Sequence, residues 1–232
     1  ENLGDRDGIL KAKTEMFDYM QTDAKIILNG DDDKLITVKE VKGVTPKFFG
    51  LSSKCDAFAD NVRSLSLKGT SCNIHLSEDC FNTTIPIPGH HMVYNALAGA
   101  LVGQELGLTL DEIKSGIEAL VPVSGRNNLL ETDSLMIIDD CYNANPVSTK
   151  ASLDVLSLAD GRKVAILGDM FELGENEKQL HFEVGAHAAK NNIDLVICIG
   201  ELSANTAQGA EKQGAKVLHF KTKADFLSQA QE

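Results

Sequence analysis

Four short apolar runs recur through the second half of the chain, and each is followed by residues with helical spacing. The runs lie at 135–139, 163–167, 195–199 and 216–220. They are continuously apolar rather than alternating, which is typical of strands that are covered on both faces. Strands that alternate with helices predict a parallel sheet with right-handed crossovers, in which the chemistry lies at the carboxyl ends of the strands.

The first half follows a different pattern, in which short strands are grouped between helices. Apolar residues at helical spacing predict a first helix over 9–20, and the run at 25–28 predicts a strand. Three further β-like runs, at 58–67, 71–76 and 81–87, are separated by turn residues. Their spacing predicts a small antiparallel layer.

Two helices are predicted after this layer. They cover 92–106 and 110–120, and the second is capped by Thr109 or Asp111. The segment 121–125 then has the composition of a linker. The pattern as a whole therefore predicts an α/β protein with two parts.

Composition and charge narrow the classes of function. The chain has 232 residues, of which 43% are apolar and 24% charged, and its net charge is -12. A negative surface argues against a general nucleic-acid binder, because phosphate backbones select basic surfaces. There is no apolar run long enough to cross a bilayer and no signal peptide, so we expect a cytoplasmic protein without stable membrane insertion. We also expect a monomer.

The five cysteines are scattered and form no Cys-x-x-Cys pair. This spacing predicts free thiols in a reducing cytoplasm rather than a zinc or redox site. His90 and His91 invite a metal interpretation, but adjacent helical residues point apart and no third ligand follows at the next turn. We therefore expect no structural zinc.

The segment 139–146, Asp-Asp-Cys-Tyr-Asn-Ala-Asn-Pro, carries the strongest chemical signal. Asn145 and Pro146 are the residues favoured at a helix start, and that role alone explains them as well as a function does. A helix start does not explain why Asp139, Asp140, Tyr142 and Asn143 lie in the same turn. A carboxylate beside a helix N-terminus is suited to a ribose hydroxyl, and neighbouring amides can bind a peptide-like substrate.

Other polar residues have both a functional and a structural interpretation. Asn95 has the donor and acceptor needed to read an adenine edge, or it is a surface amide. Arg126 can clamp a phosphate or form a salt bridge. Asp169 and Glu172, which follow the second strand, suit an ammonium group or an ordinary loop. Lys13 lies among apolar positions of the first helix, an inward face from which a lysine usually reaches solvent.

These segments, in this order, resemble the Mur ligase family over essentially the whole chain. The resemblance departs from the family pattern at Met92 and Cys141, where Asn and Ser are usual. It implies that 1–123 is the later part of a central P-loop-type ATPase domain and that 124–232 is a truncated, Rossmann-like C-terminal domain. Because no Gly-x-x-x-x-Gly-Lys-Ser/Thr loop occurs in the chain, we expect the phosphate cradle to lie outside it and the chain alone to be inactive.

The resemblance also implies the chemistry. ATP phosphorylates the carboxylate of a UDP-N-acetylmuramoyl-tripeptide, and D-alanyl-D-alanine attacks the acyl phosphate, with Mg²⁺ neutralising the phosphates. It further implies a role for each matching residue. These are Lys13 as a carbamate that holds magnesium, Asn95 at the adenine, Arg126 at the phosphates, Asp140 at the ribose, and Tyr142, Asn143 and Asn145 at the dipeptide.

Three alternatives remain open at this point. A folylpolyglutamate synthase would share the architecture, although the Tyr-Asn-Ala-Asn-Pro segment counts against it. A receiver-like signalling module would also place two acids at a strand end, but it needs a further Asp where this chain has Gly200-Glu201. A non-catalytic piece that binds nucleotide or dipeptide is the third.

Overall fold

The computed structural model describes residues 5–229. The chain divides into two compact units, Glu1–Val121 and Pro122–Glu232. Within the described residues, no helix combines the length and the apolar character that crossing a bilayer requires. Both units mix helices with parallel strands, which confirms the predicted α/β class.

The described part of the first unit contains three α-helices and a five-stranded sheet, and two of the helices share a core with the sheet. Its elements are α1 (Arg6–Thr14), β1 (Ile27–Asn29), β2 (Lys47–Gly50), β3 (Ala57–Ser64), β4 (Thr70–Leu76), β5 (Asp79–Ile85), α2 (His91–Glu105) and α3 (Leu110–Glu118). The strands follow one another in chain order across the sheet. β1, β2 and β3 pair in parallel, whereas β3, β4 and β5 pair antiparallel. The predicted antiparallel layer is therefore one half of a mixed sheet, and the four-residue β2 was not predicted.

Helix α2 covers the inner face of this sheet. The side chains of β4 alternate between buried and half-buried, and Ile74 and Leu76 belong to the buried set. They share one core with Val93, Leu97 and Leu101 of α2, all fully buried. This alternation is the period of two that a strand with one buried face requires.

Helix α3 begins with a reciprocal cap. The backbone N–H of Glu112 donates to the Thr109 hydroxyl, at 3.3 Å, and the Glu112 carboxylate accepts the Thr109 N–H at 2.8 Å. Thr109 is thus the cap, rather than Asp111. The backbone N–H of Thr109, followed by its hydroxyl, lowers the pKa of Glu112.

Helix α1 is attached mainly by charges. None of its residues is buried, so it contributes little apolar contact. Arg6 pairs with Asp32 at 3.3 Å and also with Asp33, while Lys34 pairs with Asp7 at 2.5 Å. Exposed pairs of this kind contribute little to stability and weaken with salt.

The second unit is built on strands that alternate with helices. Its elements are β6 (Asn128–Glu131), β7 (Met136–Asp139), α4 (Pro146–Ser157), β8 (Val164–Gly168), α5 (Glu177–Lys190), β9 (Leu195–Ile199), α6 (Ser203–Lys212), β10 (Val217–Phe220) and α7 (Lys223–Gln229). β8, β9 and β10 form a parallel sheet in the order β10-β9-β8. All four predicted strands are present at nearly the predicted positions.

The expected pairing of the first of these strands is wrong. Strand β7 does not hydrogen-bond to β8 but forms an antiparallel pair with β6, in the register Asn128 to Asp139. The reason is local: a tight turn joins the two strands, with the Thr132 N–H donating to the Leu135 carbonyl at 2.9 Å. Strand β6 has only four residues, two of them polar, and its pattern did not predict it.

Helices α5 and α6 approach each other through two glycines. A Cβ atom at Gly185 would lie 1.8 Å from the Thr206 carbonyl oxygen, and one at Gly209 would lie 2.0 Å from the Phe182 carbonyl oxygen. Neither distance is compatible with a side chain, and both obstacles are backbone atoms. Gly185 is therefore a packing requirement, unlike Gly116 of α3, whose Cβ would meet nothing within 4 Å.

We expect Gly185→Ala to lower the free energy of unfolding by about 1–3 kcal/mol, because the helices must separate to accept a methyl group. The matched change Gly116→Ala should raise it by about 0.5–1 kcal/mol, because alanine favours a helix interior and has room there. Urea unfolding of both variants measures the two effects. Equal effects of the two substitutions would contradict the packing described for α5 and α6.

Candidate functional site

The turn at 125–127 is bound to the end of strand β7 by three hydrogen bonds. The Gly125 N–H donates to Asp139 Oδ2 at 3.1 Å, and the Asn127 N–H donates to Asp140 Oδ1 at 3.0 Å. In return, the Tyr142 N–H donates to the Gly125 carbonyl at 3.0 Å. Bonds from N–H groups to carboxylates are charge-assisted and stronger than neutral ones. The two acids therefore fix the turn in place.

A helix holds the other oxygen of Asp140. The hydroxyl of Ser152, in the second turn of α4, donates to Asp140 Oδ2 and also lies 3.0 Å from the Ser148 carbonyl. A carboxylate has about four lone-pair sites, so these two bonds leave room for a further donor such as a ribose hydroxyl. Ser152 was not predicted from the sequence, where it is one polar position in an amphipathic helix.

The Arg126 guanidinium lies over the ring of Tyr142. The Arg126 Cζ atom lies 4.1 Å from the centroid of the Tyr142 ring, a cation–π contact. Both side chains are exposed, and Tyr142 is 69% exposed. The structure thus brings together three of the predicted site residues, Arg126, Asp140 and Tyr142.

Asn145 is the N-cap of helix α4. Its Oδ1 accepts the N–H groups of Val147 and Ser148, each at 3.0 Å, and the Ser148 hydroxyl accepts the Asn145 N–H at 3.2 Å. The helix-start interpretation of Asn145 and Pro146 is therefore what the structure shows. Asn143 lies two residues earlier and is exposed to solvent.

Asp169, in the loop after β8, also has a structural role. Its carboxylate accepts the Glu201 N–H at 3.1 Å and the Ser203 N–H at 2.7 Å, at the start of α6. Gly200 makes this approach possible, because a Cβ there would lie 2.2 Å from Asp169 Oδ1 and its φ of +128° disfavours other residues. These two bonds to the start of α6 explain the presence of Asp169 without an ammonium ligand.

A buried histidine of α5 also holds the loop that follows β8. His181 is fully buried on α5, its Nε2 atom accepts the Met170 N–H at 2.9 Å, and its Nδ1 atom lies 2.8 Å from the Glu177 carbonyl. Since a backbone N–H can only donate, Nε2 is unprotonated and Nδ1 carries the hydrogen. Nothing in the local sequence pattern indicated this role of His181.

In the first unit, Asn95 and its neighbour Tyr94 occupy different environments. Asn95 is exposed on α2, with its Nδ2 atom 3.4 Å from the sulfur of Met92. The Tyr94 hydroxyl donates to Asp31 Oδ2 at 3.0 Å, and the same oxygen accepts the Leu51 N–H at 2.7 Å. Burial, followed by the bond to Asp31, raises the pKa of Tyr94. Asp31 therefore anchors the start of α2, where the sequence indicated only a strand end.

Lys13 is exposed on α1, and the inward face expected for it is wrong. The apolar spacing of this helix does not produce burial, and even Ile9 is 46% exposed. Within residues 5–229, no three His, Cys, Asp or Glu side chains converge to hold a metal ion.

The cysteines that the structure describes are all free thiols. Burial raises the pKa of Cys72 to about 11 and that of Cys198 to about 12. Cys141 is different, because it is exposed and its thiol donates to Asp139 Oδ1 at 3.0 Å. That hydrogen bond, together with the charge of Asp139, raises the pKa of Cys141.

Both units match models of one family. Residues 1–103 match the Mur ligase middle domain, and residues 125–232 match the domain described as Mur ligase, glutamate ligase domain. The chain belongs to the Mur ligase family, as its motifs predicted.

One member of the family is repeatedly similar. The UDP-N-acetylmuramoyl-tripeptide–D-alanyl-D-alanine ligase of Bacillus subtilis (strain 168) is 35% identical over 100% of this chain and 50% of its own length. A crystal structure of MurF from Acinetobacter baumannii is 30% identical and has a TM-score of 0.87, covering 97% of this chain and 49% of that one. The chain spans about half the length of the curated relatives it matches.

Two more distant structures share the fold alone. MurF from Thermotoga maritima in complex with ADP is 24% identical, with a TM-score of 0.78 and coverage of 98% of this chain and 57% of that one. Folylpolyglutamate synthase from the same organism is 16% identical, with a TM-score of 0.62 and coverage of 97% and 53%. The synthase is thus a distant neighbour, and the alternative based on it has no support beyond the architecture.

We expect Asn145→Ala to lower the free energy of unfolding by about 1 kcal/mol, because two N–H groups of α4 lose their acceptor. Asn145→Ser should retain most of the stability, since serine is an equally favoured cap. Thermal or urea unfolding of the chain measures both variants. An alanine variant as stable as the native chain would contradict the capping role.

We expect Cys141 to react slowly with iodoacetamide at pH 8 despite its exposure, because the thiolate is the nucleophile and a raised pKa lowers its fraction. Asp139→Asn removes the charge, lowers the pKa and should increase the alkylation rate severalfold, moving the rate–pH profile to lower pH. Peptide mass mapping gives the rate for each cysteine. Cys80, the other exposed thiol, is the internal control, and its rate should not change.

Proposed function

We propose that the chain is part of an ATP-dependent ligase that adds D-alanyl-D-alanine to UDP-N-acetylmuramoyl-tripeptide in the synthesis of peptidoglycan precursors. The observation that carries this proposal is the 35% identity to the Bacillus subtilis ligase over the whole chain. The arrangement of Arg126, Asp140 and Tyr142 at one strand end supports it. Free thiols at the cysteines support the cytoplasm as its place of action.

Nucleotide binding is assigned to three residues. The Arg126 guanidinium is exposed and presents planar N–H donors that match phosphate oxygens in pairs. Asp140 is held by the Asn127 N–H and by Ser152, and its remaining lone pairs suit the ribose hydroxyls. The exposed amide of Asn95 suits an adenine edge. The ADP complex of the Thermotoga maritima relative supports a nucleotide as the ligand.

Recognition of the dipeptide is assigned to Asn143 and Asn145. Both amides lie on the exposed loop that leads into α4, and the dipole of this helix favours an anion such as the carboxylate of D-alanyl-D-alanine near its N-terminus. Asn145 uses its Oδ1 atom in the cap, so only its amide nitrogen would serve the substrate. Asn143 therefore carries most of this assignment.

Lys13 is proposed to hold Mg²⁺ as a carbamate. The exposed position of its amine on α1 allows carbon dioxide to reach it. Mg²⁺ keeps several waters and binds through one or two carboxylate-like groups together with phosphate oxygens, so one carbamate fits this requirement. When bound, the ion would neutralise negative charge on the phosphates.

The proposed reaction has two steps. The tripeptide carboxylate attacks the γ-phosphorus of ATP, which releases ADP and leaves an acyl phosphate. The dipeptide amine then adds to the acyl carbon, and the tetrahedral intermediate collapses to an amide and inorganic phosphate as the amine loses a proton. Positioning and charge neutralisation provide most of the catalysis in such transfers. Arg126 contributes to both at the phosphates.

We expect Asp140→Ala to raise the KM for ATP about 10- to 100-fold in the complete protein, since a charge-assisted hydrogen bond to the ribose is lost. The KM for D-alanyl-D-alanine should rise with Asn143→Ala instead. Phosphate release that depends on all three substrates measures both constants. The control is Asp133→Ala, which removes the same charge from an exposed turn of the same unit.

Failure of the complete protein to release phosphate with these substrates would refute the proposed function. If both variants kept both KM values while the protein was active, the function would stand and the residue assignments would be wrong.

A further inference from the structure

Tyr142 contacts the turn at 125–127 through both its backbone and its ring. Its backbone N–H donates to the Gly125 carbonyl at 3.0 Å, and its ring lies under the guanidinium of the next residue, Arg126, at 4.1 Å. A Cβ atom at Gly125 would lie 3.4 Å from Tyr142 Cβ, which shows how closely the two segments approach. The backbone contact thus places the ring directly beside the Arg126 side chain.

We propose that Tyr142 is a positioning residue for Arg126 and that it does not recognise the dipeptide. This inference rests on the proposed function, because it assigns to the stacked pair a part in holding the nucleotide phosphates. It also separates Tyr142 from Asn143 and Asn145, with which the family resemblance groups it.

The charges around Arg126 support this role. Within residues 5–229, none of the ion pairs formed by lysine, arginine or histidine includes Arg126. The ring face attracts the cation without using its N–H donors, which stay available for an anion. An exposed arginine would otherwise move among many rotamers, and restricting it before the ligand arrives lowers the entropic cost of binding.

The position of the ring also argues against the dipeptide. One face of the Tyr142 ring is covered by Arg126, so the position of the ring is tied to the turn at 125–127. The amides assigned to the dipeptide instead precede α4 along the loop, where Asn145 caps the helix. Replacing the ring should accordingly weaken the binding of ATP, the ligand assigned to Arg126, rather than the binding of the dipeptide.

The first test compares Tyr142→Leu with Tyr142→Phe in the complete protein. Leucine removes the ring, and we expect the KM for ATP to rise about two- to fivefold, the range of an exposed cation–π contact, with an unchanged KM for D-alanyl-D-alanine. Phenylalanine keeps the ring and should restore the KM for ATP. Phe171→Leu is the matched control, because Phe171 is also 69% exposed and lies in the same unit.

The double variant Arg126→Ala/Tyr142→Leu tests whether the two residues act together. We expect its KM for ATP to equal that of Arg126→Ala alone, because a positioning residue has no effect once its partner is absent. Additive effects would overturn the proposal, as would a rise in the KM for the dipeptide with Tyr142→Leu.

A spectroscopic test does not depend on enzymatic activity. The ring current of Tyr142 should shift the Arg126 Hδ signals upfield in ¹H–¹³C NMR spectra of the chain, and Tyr142→Leu should abolish the shift while Tyr142→Phe keeps it. Absence of the shift in the native chain would overturn the inference even if ligation is observed. A clear shift in a protein without ligase activity would refute the proposed function and leave the stacked pair intact.

Discussion

Two carboxylates at the end of β7 each accept a backbone N–H from the turn at 125–127, and the candidate site is built around these bonds. They hold Gly125 and Asn127 against the strand, so that Arg126, between them, points its side chain onto the Tyr142 ring. Helix α4 supports the same strand end through the Ser152 hydroxyl. Asp140 accepts a hydrogen bond at each of its two oxygens, and this makes it a rigid anchor.

The fold could be predicted to the extent that it depends on local pattern. Continuous apolar runs predicted β8, β9 and β10, and the Thr109 cap of α3 was one of two candidates named from the sequence. Pairing could not be predicted in the same way. Strand β7 has the same apolar composition as the parallel strands β8, β9 and β10. The tight turn after β6 nevertheless pairs it antiparallel with β6, and a hairpin of this kind depends on a few turn residues.

The site shows the same division between local and tertiary information. A helix start at Asn145 was one of two interpretations left open, because a cap is encoded within four residues. The roles of Ser152 and His181 were not predicted, since their partners Asp140 and Met170 lie 12 and 11 residues away and meet them only after folding. The exposure of the apolar positions of α1 was also missed, because helical spacing of apolar residues does not say whether another element covers them.

Hydrogen exchange at the Asn127 backbone N–H tests the central interaction most directly. The account predicts that this N–H is protected in the native chain and that Asp140→Ala increases its exchange rate at least about tenfold, the loss of a bond worth more than 1.4 kcal/mol. Amides in the core of the same unit, such as that of Val196, should keep their native rates. Rapid exchange at Asn127 in the native chain, or unchanged protection in the variant, would contradict the role assigned to the two carboxylates.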